Sequence, residues 1–497
     1  MRGFLVLTVI ILSIAVFVFA LGSIVAMSAV AGAASRWPGQ MFSYLMWMIV
    51  MAGVGGILVS GRILRIDEEA LVMGAVGEAG GTIIAKLLLS AVIGVSLALC
   101  VTWILLSSKR KAGGNRFEQR RLNSPNDIVI AFMVFYIAFS ILPLIFGKSH
   151  QFHVSLFYPF FVFIALFLWM RLSKVDPVIV AKQCLGFIVL TSLVMAVLIP
   201  QLAVQPSYVG LIPGFNSRLW GLTAGANSLG SVAGTLLVLE AAEPSARRWL
   251  GNGIFFTAAL ALVLTQSKTS ILAAFLGLLI IFGYRLVTGL QGKSLNGRNE
   301  NLILIILIAF FILFITAVSA WVMFFDTSVF TSLERSLDSR AVSKLATASG
   351  RTWIWEVALR GGMENPLFGQ GLGFWSLENR LRWGLGGAVH AHNLFLDVFA
   401  RSGFVGLSTL LVFLYFVFRY SVRATRYTHG GSIALAVIFL VRATFEVPLQ
   451  PNAILGAESM AMLAFFLYVI DRGAKQRDKA NEPVQVRAHF LRAGNFR

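Results

Sequence analysis

Between residues 349 and 406 the sequence gathers Arg351, Glu356, Arg360, Asn365, His390, His392 and Asn393 around a run of glycines, in a chain that is otherwise largely apolar. These residue types suit two tasks. Histidine titrates near neutral pH, so a positioned ring can take the proton of an attacking hydroxyl. Guanidinium groups grip phosphate-like anions through paired hydrogen bonds. His390, His392 and Asn393 stand just before an apolar run, where three roles are open to the histidines. Two histidines could ligate zinc, but these are two residues apart with no third ligand at a standard spacing, and no metal is expected. His392 could cap the following helix. A general-base role for His392 fits best, with His390 and Asn393 beside it as substrate contacts.

Two further polar breaks interrupt the apolar background. One is residues 218–227, beginning with Arg218 and ending with Asn227, and the other is Gln266-Ser267-Lys268-Thr269. Read alone, each is an interfacial helix end. Together, Arg218, Lys268 and Arg351 make a cationic cluster suited to an anionic partner. Residues 365–373 read as a turn and a glycine-rich loop; no strand precedes them and the spacing is neither a Walker nor a Rossmann fingerprint, so nucleotide binding is not expected. Arg442 and Glu446 lie four apart inside an apolar run. Buried charge in a membrane helix is a functional candidate by default, and an intrahelical ion pair is the favoured reading of this one.

The elements that must position these groups are membrane helices. Of 497 residues, 58% are hydrophobic and 13% charged, about half the charge of a soluble domain. Apolar runs long enough to cross a bilayer fall at 4–27, 41–59, 83–106, 127–147, 152–171, 178–199, 219–240, 249–266, 270–288, 302–325, 403–420, 432–448 and 453–470. Only helices or closed barrels satisfy backbone groups in lipid, and these runs lack the alternation of barrel strands. The expectation is an all-α polytopic protein of about 12–13 transmembrane helices. Residues 1–325 form the first set, 326–402 one large outside loop carrying short helices, 403–470 the last helices, and 471–497 a basic tail. The net charge of +19 reflects Lys and Arg in cytoplasmic loops rather than nucleic-acid binding. Basic residues at 109–121, 171–174, 247–248, 285–298 and 419–426 then share one side with the tail, and loop 326–402 faces the other. Thirteen spans with a cytoplasmic C-terminus put the N-terminus outside, unless one early segment does not span; the acidic segment 61–81 is a place for a further short helix. Trp353, Trp355, Phe374, Trp375 and Trp383 argue that loop 326–402 is folded, with a short helix over 352–359. Cys100 and Cys184 lie in apolar runs and offer no disulfide framework.

Residues 218–227, the turn 266–269, Ser349-Gly350-Arg351 with Trp355, the stretch 365–373 and His392 resemble the O-antigen ligases and Wzy-type polysaccharide polymerases, exopolysaccharide polymerases included. The sharpest element is His392-Asn393, then nine residues, then Gly403-Phe404-Val405-Gly406. The resemblance covers about residues 218–406. It implies a GT-C-like helical glycosyltransferase that uses neither nucleotide nor metal, and no other cofactor. It implies a donor glycan on undecaprenyl pyrophosphate at the periplasmic face of the bacterial inner membrane. By the same resemblance His392 is the catalytic base and Arg351 holds the pyrophosphate. Lys268 stands where ligases commonly carry a second arginine. Implied partners are the lipid-linked glycan, membrane lipid, and a chain-length regulator and flippase of the same pathway.

The expected function is polymerisation of lipid-linked repeat units. One rival is a ligase that moves the finished glycan to lipid A core or another acceptor by the same mechanism; the lysine at 268 tips the balance towards polymerase. A glycolipid transporter or flippase is the rival from another class. Transporters tend to show repeated halves and charged mid-membrane helices, which only Arg442 and Glu446 suggest here. A membrane anchor that merely binds glycan would leave the Arg351 and His392 arrangement without a purpose.

Overall fold

The computed structural model describes residues 28–60, 62–64, 83–111, 126–149, 158–206, 208, 212, 215–290, 339–385, 388–449 and 456–480. The apolar runs at 4–27 and 302–325, most of the acidic segment 61–81 and the end of the basic tail lie outside them. Each of the other runs falls on a described helix. These are α1 (Met41–Leu58), α2 (Ile83–Lys111), α3 (Asn126–Tyr136, continued by a π-helical turn at Ile137–Ile141 into Leu142–Phe146), α4 (Tyr158–Trp169), α5 (Pro177–Leu198), α6 (Ala226–Ala242), α7 (Arg248–Leu264) and α8 (Lys268–Leu290). Helices α9 (Ser339–Glu364) and α10 (Leu377–Arg382) fall within loop 326–402, where α11 (Leu394–Ala424) also begins, and α12 (Gly431–Phe445) and α13 (Ala457–Ala480) follow. Among the described helices six are long and apolar enough to cross a membrane: α1, α2, α3, α5, α8 and α11. Shorter apolar helices, α4, α6, α7 and α12, fill the bundle between them. The chain is an all-α, multi-pass membrane protein.

Helix α6 is the axle. It is buried almost all round, as a helix without a polar face must be, and α5, α7, α8, α12 and α13 pack against it. Its sequence carries Gly230 and Gly234 four residues apart on one face, a spacing that lets membrane helices approach closely. Helix α8 uses that face: a Cβ at Gly230 would lie 2.8 Å from Ser270 Oγ and 3.0 Å from Ser267 Cβ, and one at Gly234 would lie 3.4 Å from Ala274 Cβ. Close approach therefore brings the start of α8 beside the start of α6. Gly230→Val should force the two helices apart, since overpacking a fixed contact costs about 1–3 kcal/mol. A lowered melting temperature in detergent, with loss of activity, is the expected result; unchanged melting would refute the contact.

The starts of α6, α8 and α11 and the end of α12 share one end of the bundle, as the contacts Asn227–Glu446, Ser267–Asn227 and His392–Glu446 show. At that end the only regular departure from helix among the described residues is a small antiparallel pair, β1 (Val204–Pro206) with β2 (Ser217–Leu219), in the register Val204↔Leu219, Gln205↔Arg218 and Pro206↔Ser217. The run at 219–240 becomes helical only at Ala226 because residues before it form this strand and a turn. Arg62 ties the turn down, donating to the carbonyls of Thr223 at 2.5 Å, Gly221 at 2.7 Å and Leu202 at 2.8 Å.

A second, smaller apolar core lies within residues 326–402. Ile354, Val357 and Ala358 of α9 pack with Phe374, Trp375, Ala388, Ala391 and Ala400. The rings of Phe374, Trp375 and Trp383 meet with centroids 4.8–6.1 Å apart, so the tryptophans of this segment do fold it. The short helix expected over 352–359 is one part of the much longer α9.

Candidate active site

Asn393 is the N-cap of α11; its side-chain oxygen accepts from the N–H groups of Phe395 at 3.0 Å and Leu396 at 3.1 Å. The capping role open to His392 is therefore filled by its neighbour. His392 itself sits at φ 49°, in the left-handed region that a histidine tolerates but does not favour. Its N–H donates to His390 Nδ1 at 3.1 Å, and the two rings meet edge to face with centroids 4.2 Å apart. One turn into α11, buried Asp397 accepts from the N–H of Ala391 at 3.0 Å and pairs with Arg401 at 2.9 Å. The loop is thus pinned from both sides, and the turn that results throws the His392 ring outwards.

The ring lands on Glu446. Nδ1 of His392 lies 3.1 Å from Glu446 Oε2. The other carboxylate oxygen accepts from Asn227 Nδ2 at 2.7 Å and pairs with Arg351 at 3.5 Å. Glu446 is buried, with 5% of its side chain exposed against 26% for His392 and 32% for Arg351. A buried carboxylate needs such partners. Behind it, Asn227 Oδ1 accepts from Arg218 at 2.6 Å and from Ser267 Oγ at 3.0 Å. Arg218 also donates to Thr265 O at 2.7 Å and stacks over Tyr208. Gln266, at φ 50°, reaches back to Ser217 O at 2.6 Å. One carboxylate therefore joins loop 326–402, α6, the α7–α8 turn and the end of α12.

The glycines after His392 serve a backbone interlock. At Gly403 α11 is kinked, with φ 60° and ψ −159°, a conformation open almost only to glycine. Through the kink, Gln370 and Gly371 donate to Ala400 O and Arg401 O, both at 2.9 Å, while Phe404 and Val405 donate to Pro366 O at 2.7 Å and Leu367 O at 3.2 Å. A Cβ at Gly403 would collide with the carbonyls of Pro366 and Leu367. The glycine-rich stretch at 365–373 is thus a clamp on α11, and the spacing from His392 to Gly403 is one element of that clamp.

This histidine-to-glycine spacing and the arginine that faces it across Glu446 belong to one part of the chain. Residues 253–411 match the O-antigen ligase family. The match runs from α7 to the middle of α11 and includes Lys268, Arg351, His390, His392 and Gly403. A search of curated proteins finds no match. The match spans less than half of the chain and marks a likeness of that stretch.

Within and beside residues 253–411, the residues expected from sequence take different places. His392 and Arg351 share Glu446. Arg218 reaches it through Asn227. His390 lies behind His392, buried. Lys268 is exposed at the first position of α8, between Ser267 and Thr269, which hydrogen-bond to Asn227 and Arg442 respectively. Glu446 and Asn227 are the additions. The i,i+4 pair expected between Arg442 and Glu446 does not form. Helix α12 ends at Phe445, and Glu446 leaves it in extended conformation at φ −148° and ψ 178°, which swings the carboxylate out of reach. Arg442 pairs instead with Glu458 of α13 and donates to Ser270 Oγ at 3.1 Å.

Glu446 also supplies the third ligand that sequence spacing lacked. Donor atoms of His390, His392 and Glu446 all lie within 4.8 Å of one another. These are the residues that could hold a metal ion here. Two of their atoms already serve other purposes: His390 Nδ1 accepts the His392 N–H, and Glu446 Oε1 holds Asn227 and Arg351.

Burial, reinforced by the charges of His392, Arg401 and Arg351, pushes His390 down to about 3. A histidine held neutral in the fold favours folding above its ordinary value near 6.5, and that contribution is lost as pH falls towards 3. The purified protein should lose stability between pH 6.5 and 4, by up to about 1.4 kcal/mol per unit from this one proton. His390→Gln should flatten the profile in a melting series; an equally steep profile in the variant would assign the acid sensitivity elsewhere.

Proposed function

We propose that the protein polymerises glycan repeat units carried on undecaprenyl pyrophosphate, at the periplasmic face of the bacterial inner membrane. The contact between His392 Nδ1 and buried Glu446 carries this reading. A carboxylate at Nδ1 keeps the proton there, leaving Nε2 as the acceptor on a side chain that is 26% exposed. Nε2 takes the proton of the acceptor hydroxyl while its oxygen attacks the anomeric carbon of the donor. The bond from that carbon to the pyrophosphate oxygen breaks, and the leaving group departs with its negative charge. Arg351, half on Glu446 and half exposed, meets that charge, with Lys268 on the same end of the bundle. Arg218 orders the site through Asn227. No step uses a metal or a nucleotide.

Arg351→Lys tests the grip on the leaving group. Lysine keeps the charge but loses the planar pair of donors, so glycan extension should fall by about 10²-fold, in line with the loss of one transition-state donor. Extension at the wild-type rate would remove Arg351 from this role.

Transfer of the finished glycan to lipid A core or another acceptor is the second reading, and the O-antigen ligase match favours it. Deleting the gene and separating lipid-linked and surface glycans by size decides between them. Single repeat units in place of long chains support polymerisation. Full-length chains stranded on undecaprenyl pyrophosphate support the ligase.

A further inference from the structure

The turn that follows α9 packs between two helices long and apolar enough to span the membrane, α3 and α11. Phe368 stacks on Phe146, the last residue of α3, with ring centroids 4.6 Å apart. On the other side the carbonyls of Pro366 and Leu367 accept from the N–H groups of Phe404 and Val405 in α11. Both helices turn an exposed apolar stripe outwards, through Ile130, Val134 and Ile145 on α3 and through Phe404, Leu411 and Tyr415 on α11. Contiguous exposed apolar surface of this kind meets lipid in a membrane protein. Leu367, next to both contacts, is 59% exposed and continues that surface from one helix to the other.

We propose that residues 366–368 dip into the membrane leaflet at the end of the bundle that holds His392, with Leu367 among the acyl chains of the bilayer. The depth follows from the other end of the two helices. Tyr420 of α11 donates to Asp127 of α3 at 3.0 Å, so the helices are level there, and Arg419, Arg423 and Arg426 surround that level in sequence. Tyrosine beside a basic cluster marks a membrane interface. From Tyr420 back to Phe404, α11 rises about 24 Å at its pitch, short of the roughly 30 Å of a hydrocarbon core, and any tilt shortens that rise. Phe404 and the turn hydrogen-bonded to it therefore lie within the core. Backbone groups in lipid need partners, and the carbonyls of Asn365, Pro366, Leu367 and Gly369 all have them. Asn365 Nδ2 also donates to Phe146 O, at the end of α3, at 3.3 Å. Charge returns beside the turn in the ion pair of Lys148 with Glu364, 55% and 63% exposed, where a lysine stem reaches up to the headgroups. The occupant is bulk lipid, because the surface that Leu367 continues is that of the spans themselves. Part of loop 326–402 is thus a membrane anchor, whatever reaction the site performs.

Nitroxide labels test the depth in the whole protein, with Cys100 and Cys184 replaced by alanine, in vesicles of phosphatidylethanolamine and phosphatidylglycerol without substrate. Collision with oxygen reports lipid, and collision with a neutral nickel chelate reports water. Leu411→Cys, 51% exposed in the α11 stripe, is the lipid reference. A label at Leu367→Cys should collide freely with oxygen, and with nickel less than tenfold more often than the label at 411. A label at Phe404→Cys should read the same depth as the one at 367, since the two backbones are hydrogen-bonded together. Nickel collision at 367 tenfold or more above that at 411 would put the turn in water and overturn the proposal. Low collision with both reagents would mean that protein, such as a second copy of the chain, covers Leu367, and would overturn it too.

Discussion

His392→Ala should abolish glycan extension while the protein still inserts, folds and binds its lipid-linked donor. General-base assistance is worth about 10²–10⁴-fold, and the loss should fall on the chemical step rather than on binding, so kcat drops and KM stays close to its original value. The fold survives because α11 depends on Asn393 for its cap and on Asp397 for the loop, and neither needs the imidazole. His390→Ala provides the contrast. That ring is buried behind His392, so its removal should lower stability through a cavity and a lost acceptor for the His392 N–H. Its effect on rate should be much smaller. Initial rates of extension with purified protein and lipid-linked repeat units measure both. Full activity in His392→Ala would end the general-base assignment and, with it, the reading of Glu446 as the group that sets the tautomer.

How much of this site could be read in the sequence follows from what makes a residue conspicuous. His392 and Arg351 stand out because polar side chains are rare in so apolar a chain, and Arg218 because it interrupts a hydrophobic run. Glu446 does not stand out. It lies four residues after Arg442, and helical spacing offers that arginine as its partner. Only the end of α12 at Phe445 turns the carboxylate towards His392, 54 positions back along the chain, and no local signal marks where an apolar helix of this kind stops. Asn227 is hidden for a similar reason: its partner Ser267 is brought close by the packing of α6 on α8. That packing did leave a trace, the Gly230 and Gly234 pair, whose spacing is a recognised device of membrane helices.

The start of α11 illustrates the opposite limit. Hydropathy marks the run at 403–420, because Asp397 and Arg401 interrupt it, yet the helix begins at Leu394. The two charges sit one turn apart and neutralise each other inside the protein, with 0% and 7% of their side chains exposed. A pair of this kind reads as a boundary in sequence and as a fastening in structure. The glycines of 365–373 and Gly403 likewise look like loop residues or a ligand cradle, and are instead the two halves of one backbone interlock.

Glu446→Gln should lower extension by about 10²–10³-fold with little change in the folded structure. Glutamine is nearly isosteric with glutamate, but the carboxylate accepts from three groups: His392 Nδ1, Asn227 Nδ2 and the Arg351 guanidinium. The amide has one oxygen and one NH₂, so at least one of those donors must face another donor. If the NH₂ turns to His392, it donates to Nδ1, moves the ring proton to Nε2 and removes the base. If it turns to Asn227 and Arg351, the ring keeps its tautomer but the imidazolium formed during the reaction loses its counter-charge, and Arg351 is no longer held. Either arrangement slows the chemical step. Glu446→Ala is the less informative variant, because it leaves the Arg351 guanidinium, Asn227 Nδ2 and His392 Nδ1 without their partner and would confound stability with rate. Glu446→Asp keeps the charge at a shorter reach and should recover part of the activity. Rates for the three variants, read against their melting temperatures, separate orientation from charge. Near-normal extension in Glu446→Gln would show that His392 works without a carboxylate behind it.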